Sequence, residues 1–227
     1  MKHLKHIFFD LDHTLWDFEK NSALAFERIF EENKVAVEVA DFMTVYNPIN
    51  QDYWKLYQVN RVSHQELRYG RLKDTFDVLG YSIKDELINQ FSDDFIAYLP
   101  LNNHLIEGTI DTLNYLRDKY TLHIITNGFA HVQETKMTNS NLVSYFKTIT
   151  NSEMAGNKKP HASIFDFALN LAQANKNESV MIGDSWEADV MGALDYGMQA
   201  IYFNPERSVI HKSVVEISKL IELKSIL

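Results

Sequence analysis

Two aspartates separated by one leucine occur where an apolar run ends, in the segment FFDLDHTLW. In an extended strand, side chains two positions apart point the same way, so Asp10 and Asp12 can face one point beyond the strand. Close carboxylates repel each other and lose solvation, so such pairs usually persist where a cation or a proton transfer uses them. A solvated turn with capping acids is an equally good interpretation of this pair by itself. Thr14 adds a hydroxyl that could cap the turn or orient a carboxylate.

A second polar cluster, ITNGF, follows another apolar run. Thr126, Asn127 and Gly128 combine a hydroxyl, an amide and free backbone N–H groups, which together can hold an anion, particularly at the start of a helix. The alternative is an ordinary turn, because Asn-Gly is a common turn dipeptide.

A lysine site and a further acidic site follow in GNKKP and GDSWEAD. Lys159 could supply the positive charge that a phosphate bound among carboxylates requires, or it could be a solvated loop lysine. Asp184 offers hard oxygen ligands that, together with those of Asp10, suit Mg²⁺. Asp189 could support the site by hydrogen bonding or through water, and Ser185 or Asp189 could instead cap the next helix.

Each of these clusters lies at or after a short apolar run, and such runs predict strands buried on both faces of a parallel sheet. Helical patterns alternate with the predicted strands, so we expect a doubly wound, Rossmann-like α/β core. The predicted strands are residues 6–11, 121–127, 179–184 and 199–204, and the predicted helices are residues 110–120, 130–141 and 163–175.

The segment between the first two predicted strands does not follow this alternation. It carries apolar residues at helical spacing and no convincing strand. We therefore predict an all-helical domain, residues 18–105, inserted into an α/β core formed by residues 1–17 and 106–227.

Composition limits the classes of function that fit. A chain of 227 residues suits one large domain or a domain with an insert. With 31 acidic and 22 basic residues, the net charge of −9 argues against general binding to nucleic acid or to an anionic membrane. The chain has no cysteine, which excludes a thiolate metal site. We see neither a signal-peptide core nor an apolar stretch that could span a membrane, and we expect a cytoplasmic protein.

The order of the clusters is more informative than any one of them. An acid pair, a threonine, a lysine and a further acid follow one another along one edge of the predicted sheet. In this order, DLDHTL, ITNG, KKP and GDSWEAD resemble the four motifs of the haloacid dehalogenase-like hydrolase superfamily. The resemblance covers nearly the whole chain and includes a helical cap inserted after the first motif.

The resemblance implies a role for each residue. Asp10 would be the nucleophile that forms an aspartyl phosphate, and Asp12 would act as general acid and base. Asp10, Asp184 and the backbone carbonyl of Asp12 would bind Mg²⁺. Phosphate would be bound by the residues of the second and third motifs, namely Thr126, Asn127, Gly128 and Lys159. Dehalogenases of the superfamily lack an acid at the position of Asp12, so its presence favours phosphoryl transfer.

The segments ITNGFAHVQ and GDSWEADVMGALDYGM are most similar to the pyrimidine 5'-nucleotidase subgroup. This similarity implies a small phosphorylated substrate, specifically a pyrimidine nucleoside monophosphate. Candidates for specificity are Trp16 near the first hinge and Arg68 and Arg71 in the cap, although helical spacing alone favours a solvated helix face for the two arginines. The sequence does not determine the oligomeric state.

Two other functions remain open at this point. A phosphatase for phosphoglycolate or sugar phosphates, or a phosphomutase, would use the same motifs. A non-enzymatic receiver module also holds an aspartyl phosphate among acids, a threonine and a lysine. The receiver is disfavoured because its phosphoacceptor lies on a later strand than its acid pair, and because this chain carries a long helical insert.

Overall fold

The computed structural model describes residues 3–207 and 213–227. These residues divide into two compact units. The α/β unit includes the chain up to Asp17 and from His104 onward, and the helical unit is Phe18–Asn103.

A six-stranded sheet forms the centre of the α/β unit, and all of its neighbouring strands are parallel. The strand order is β3-β2-β1-β4-β5-β6, the Rossmann order, and it confirms the predicted doubly wound α/β fold. The strands are β1 His6–Phe9, β2 Thr121–Thr126, β3 Thr148–Asn151, β4 Ser179–Gly183, β5 Gln199–Phe203 and β6 Val215–Ile217.

Two of these strands were not predicted from the sequence, and they form the two edges of the sheet. β3 has the sequence TITN, and its first two residues are only partly buried. β6 is only three residues long, and its first residue is exposed. Neither strand therefore carries the continuous apolar run by which the central strands were identified.

The helical unit contains four α-helices and, within the described residues 18–103, no strand. Their amphipathic spacing brings aromatic side chains into a common core, where the ring centroids of Phe26 and Phe95 are 4.6 Å apart and those of Phe26 and Phe42 are 4.7 Å apart. The helices are α1 Phe18–Asn33, α2 Val39–Gln58, α3 His64–Val78 and α4 Asp85–Tyr98.

Six further α-helices lie in the described part of the α/β unit. They are α5 Thr109–Arg117, α6 Ala130–Asn139, α7 Ser152–Ala155, α8 Ala162–Ala172, α9 Gly192–Tyr196 and α10 Leu223–Ile226. The apolar face of α8 packs on the sheet, where Ile164 and Phe165 join Phe8 and Met181 in a fully buried cluster. This packing holds the central strands in place beneath the polar residues that follow them.

The chain leaves and re-enters the α/β unit through neighbouring backbone segments. Trp16 pairs with Leu105 in an antiparallel bridge, and the Asp17 N–H donates to the His104 carbonyl at 3.1 Å. Residues 104 and 105, which the sequence analysis assigned to the helical segment, thus lie in the α/β unit.

In the ranges covered by the structure, no helix is long and apolar enough to cross a membrane.

Candidate active site

The acid pair lies in a closed turn at the carboxyl end of β1. The Asp10 N–H donates to the Ile182 carbonyl of β4 at 2.9 Å, which extends the sheet pairing by one residue. The N–H groups of Leu15 and Trp16 both donate to the Leu11 carbonyl, at 2.9 and 2.8 Å. These bonds hold the backbone around Asp10 and Asp12 in one conformation, at the crevice where doubly wound sheets bind ligands.

Lys159 lies between two carboxylates and is almost fully buried. Its Nζ is 2.9 Å from Asp10 Oδ1 and 2.6 Å from Asp189 Oδ1, and it donates to the Ile125 carbonyl at 2.7 Å. Burial acts to lower the pKa of Lys159, but the charges of Asp10 and Asp189 outweigh it and raise the pKa. The site therefore holds a fixed positive charge beside the carboxylate of Asp10.

Burial has the opposite effect on the carboxyl groups of the site. Loss of solvation raises the pKa of Asp10 to about 7, although Lys159 acts in the other direction. Burial likewise raises the pKa of Asp184 to about 6 and raises the pKa of Asp189. A cation bound among these groups would stabilise their charged forms.

The donors that could hold such a cation are Asp10, Asp184 and Asp189, whose carboxylate oxygens lie within 4.8 Å of one another. A set of hard oxygen atoms at this spacing fits Mg²⁺. Asp184 also accepts a hydrogen bond from Thr14 at 2.9 Å, which fixes the orientation of its carboxylate.

Asp189 is held differently from the other two acids. Its Oδ2 accepts the Ser185 N–H at 3.0 Å, while its Oδ1 faces Lys159. Gly183 is required for this arrangement, because a Cβ there would lie 2.1 Å from Asp189 Oδ2. Asp189 thus orients Lys159 and the loop after β4.

The polar residues after β2 contact the lysine loop. The Asn127 side chain donates to the Lys159 carbonyl at 2.9 Å and accepts the Lys159 N–H at 2.7 Å. These two hydrogen bonds fix the backbone from which Lys159 extends. The Gly128 N–H donates to Thr126 Oγ1 at 3.1 Å, so the threonine and the glycine are also held together.

Two residues that the sequence analysis missed contact Asp12. Gln133 Nε2 donates to Asp12 Oδ2 at 2.8 Å, and Lys136 Nζ donates to Asp12 Oδ1 at 2.6 Å. Both side chains extend from the buried face of α6, which they share with Val132 and Met137. Polar residues within an otherwise apolar helical stripe were the signal that could have identified them.

The three candidates for specificity lie in different environments. Trp16 is fully buried in the α/β unit, with its ring 4.3 Å from Lys136 Nζ and its Nε1 donating to Ser140 at 3.2 Å. In the helical unit, Arg71 is 2% exposed and donates to Asn50 at 2.9 Å. Arg68, on the same helix, pairs with Asp93. A role for any of the three in specificity stays a prediction.

Comparison with known proteins gives a consistent family. The model of a family described as haloacid dehalogenase-like hydrolase matches residues 7–203. The chain is similar to the pyrimidine 5'-nucleotidase PynA of Streptococcus pneumoniae, with 31% identity over 88% of this chain and 84% of that protein. It is also similar to the pyrimidine 5'-nucleotidase YjjG of Escherichia coli, with 30% identity over 87% and 85% of the two chains.

A solved structure agrees with these matches. The HAD-hydrolase YfnB of Bacillus subtilis, in a crystal form bound to magnesium, superimposes with a TM-score of 0.89 and 30% sequence identity. The alignment covers 100% of this chain and 99% of that one. The likeness therefore includes the sheet and the inserted helical segment.

Proposed function

Since the chain belongs to the haloacid dehalogenase-like hydrolase family and is a phosphatase of that family, we propose that it is a Mg²⁺-dependent 5'-nucleotidase for pyrimidine nucleoside monophosphates. The observation that carries the proposal is the pair formed by Asp10, which contacts Lys159, and Asp12, which contacts donors from α6. A nucleophile and a separate acid and base are what phosphoryl transfer through an enzyme carboxylate requires.

The reaction takes place in two displacements. An Asp10 oxygen attacks phosphorus, the bond from phosphorus to the nucleoside oxygen breaks, and Asp12 transfers a proton to that oxygen. Asp12 then takes a proton from water, whose oxygen bonds to phosphorus as the bond to Asp10 breaks. Phosphate leaves, and both aspartates return to their starting states.

The other residues of the site position the phosphoryl group and balance its charge. The ammonium group of Lys159 stabilises negative charge next to Asp10, and the Thr126 hydroxyl with the backbone N–H of residue 127 holds phosphoryl oxygens, while the Gly128 N–H donates to Thr126 Oγ1 and orients that hydroxyl. Asp10, Asp184 and the backbone carbonyl of Asp12 would hold Mg²⁺, while Asp189 and Thr14 would support the site. When bound, the ion neutralises charge on the phosphoryl oxygens.

We infer the substrate preference of this chain from its similarity to the two nucleotidase relatives. A substrate panel tests it. Phosphate release is measured for pyrimidine and purine nucleoside monophosphates, phosphoglycolate, glyceraldehyde 3-phosphate and hexose phosphates. We expect the highest kcat/KM for a pyrimidine nucleotide. A preference for phosphoglycolate or a sugar phosphate would replace the nucleotidase assignment with the second candidate of the sequence analysis.

The mechanism is tested with Asp10→Asn, which keeps the shape of the side chain and removes the nucleophile. We expect kcat to fall by roughly 10³-fold or more on every substrate of the panel. Glu134→Gln, on the exposed surface of α6, serves as the control and should retain full activity. Full turnover by Asp10→Asn would rule out the aspartyl phosphate.

A further inference from the structure

Gln133 and Lys136 place two hydrogen-bond donors on the Asp12 carboxylate. They are three residues apart in α6, so their side chains leave the same face of the helix. Each donates to a different oxygen, Gln133 to Oδ2 at 2.8 Å and Lys136 to Oδ1 at 2.6 Å. Contact with both oxygens restricts rotation of the carboxyl group, which a single bond would leave free.

Gln133 also determines the direction of a second group in the site. Its Nε2 donates to Thr126 Oγ1 at 2.8 Å, and the same oxygen accepts the Gly128 N–H at 3.1 Å. A threonine hydroxyl has two acceptor positions and one O–H. With both acceptor positions occupied, the Thr126 O–H remains as a donor for a phosphoryl oxygen.

The surroundings of Lys136 hold it against Asp12. Its ammonium group is 4.3 Å from the centroid of the Trp16 ring, a distance suited to a cation–π contact. Trp16 itself is fixed by the bond from its Nε1 to Ser140, the residue that follows α6. Lys136 is 2% exposed, so little of its side chain is available to solvent.

Packing alone does not explain these two residues. Gln133 is 1% exposed and Lys136 is 2% exposed, and burying an amide and an ammonium group is unfavourable unless their partners compensate for it. An apolar side chain of similar length would fill either position at lower cost. Gly128 is shaped to the glutamine as well, because a Cβ there would lie 2.4 Å from Gln133 Nε2.

We propose that Gln133 and Lys136 are positioning residues for phosphoryl transfer, holding the Asp12 carboxyl group and the Thr126 hydroxyl in the orientations that the reaction requires. The inference rests on the proposed function, in which Asp12 gives a proton to the leaving oxygen and Thr126 binds a phosphoryl oxygen. In this scheme neither residue contacts the phosphoryl group, and both act through Asp12 or Thr126. Gln133 links the two groups, so its loss should disturb both at once.

The leaving group offers a test that separates positioning from general damage. A nucleoside oxygen needs the Asp12 proton when its bond to phosphorus breaks, whereas p-nitrophenolate is a stable anion and leaves without one. Misplacing Asp12 should therefore slow release of a nucleoside far more than release of p-nitrophenolate. The rates are measured in single turnovers with enzyme in excess, so that only the first displacement is observed.

For Gln133→Met and Lys136→Met, we expect nucleoside release to slow by roughly 10²-fold. Release of p-nitrophenolate should slow by about tenfold or less, since the phosphoryl group keeps its contact with Lys159. Glu134→Met, an exposed position on the same helix, is the matched control and should leave both rates unchanged. An equal loss on both substrates, or no loss on either, would overturn the inference.

Two conservative variants keep the test decisive if a methionine variant does not fold. Lys136→Arg retains a cation and should restore most of the nucleoside rate, because a guanidinium group can still donate to the carboxylate. The asparagine of Gln133→Asn is one methylene shorter, so this variant should fold. Its release of the nucleoside should still slow far more than its release of p-nitrophenolate. Full activity of Gln133→Asn on both substrates would also overturn the inference.

Failure of the inference can be distinguished from failure of the proposed function. If the wild-type protein prefers another alkyl phosphate in the substrate panel, the same comparison is made with that substrate against p-nitrophenyl phosphate. If the wild type releases no phosphate from any phosphomonoester, the proposed function is wrong. If the wild type is active and the variants behave like Glu134→Met, the inference alone is wrong.

Discussion

His123 is buried on β2, where its ring stacks on Phe8 with centroids 4.5 Å apart. Its Nδ1 lies 2.8 Å from Thr148 Oγ1 and its Nε2 lies 3.1 Å from His6 Nδ1. A neutral imidazole satisfies both contacts, because one of its nitrogens donates and the other accepts. Loss of solvation, with smaller contributions from His6 and Lys147, lowers the pKa of His123 to about 4.

This lowered pKa makes the stability contribution of His123 depend on pH. Below about pH 6.5 the unfolded chain takes up a proton on this histidine that the folded chain excludes. The contribution of His123 to the unfolding free energy is therefore complete above about pH 6.5 and is lost as the pH falls toward about 4. Relative to His123→Gln, the wild type should lose about 1–3 kcal/mol of unfolding free energy over this range.

Urea unfolding at several pH values measures the difference between the two proteins. The raised pKa values of Asp10 and Asp184 change the unfolding free energy in the opposite direction as the pH falls. Because both proteins share this effect, it cancels in the difference between them. His131→Gln, at an exposed position of α6, is the control and should follow the wild type. Parallel curves for the wild type and His123→Gln would contradict the prediction.

At the scale of elements, the site depends on how closely each strand end approaches the loop beside it. The end of β4 illustrates this, because Gly183 leaves room for the carboxylate of Asp189 behind it. Asp189 in turn contacts Lys159, which contacts Asp10. A side chain at position 183 would therefore act on the nucleophile through two intermediate residues.

Gly183→Ala tests this dependence. The added methyl group would lie 2.1 Å from Asp189 Oδ2, so the carboxylate must move away from Ser185 and Lys159. We expect a loss of about 1–3 kcal/mol in unfolding free energy, as for other overpacked buried positions. We also expect kcat to fall by about tenfold or more, since the charge beside Asp10 is displaced.

Gly80→Ala provides the comparison for this variant. Gly80 has φ +66° and lies in the helical unit with open space around it, so alanine there introduces backbone strain without touching the site. It should lower stability by about 1 kcal/mol and leave kcat per folded molecule unchanged. Unchanged kcat in Gly183→Ala would show that Asp189 does not control the site.

At the scale of the whole molecule, ligand binding and folding are coupled. The proposed Mg²⁺ ligands come from segments more than 170 positions apart, Asp10 and Asp184, and they adopt this arrangement only in the folded α/β unit. An ion that binds the folded state alone stabilises it, by about 2.7 kcal/mol at a concentration 100 times its Kd.

Thermal unfolding with and without Mg²⁺ tests this coupling. We expect Tm to rise by roughly 5–10 °C when Mg²⁺ is near saturation, and phosphatase activity to disappear with a chelator and return with Mg²⁺. Asp184→Asn should remove most of the rise in Tm. A wild-type Tm that does not respond to Mg²⁺ would argue against a magnesium site formed by these residues.

Much of the fold could be predicted from the sequence because the relevant signals are local. Buried central strands need continuous apolar runs, and this requirement located β1, β2, β4 and β5 to within a residue or two. The edge strands β3 and β6 lacked that signal because each has a neighbouring strand on one side only. The order of the chemical clusters was also visible, since the clusters of Asp10, Thr126 and Asp184 lie at the ends of predicted strands, whereas Lys159 follows β3 only after the short helix α7.

Which side chains meet was decided only by the tertiary structure. The sequence determined a doubly wound core, a helical insertion and a set of polar residues at one sheet edge. Gln133 and Lys136 both contact Asp12, although they follow it in the sequence by 121 and 124 positions. Likewise, helical spacing alone did not reveal that Arg71 is buried against Asn50. The physical reason is that periodicity defines a helix face, whereas the packing of distant elements defines what that face contacts.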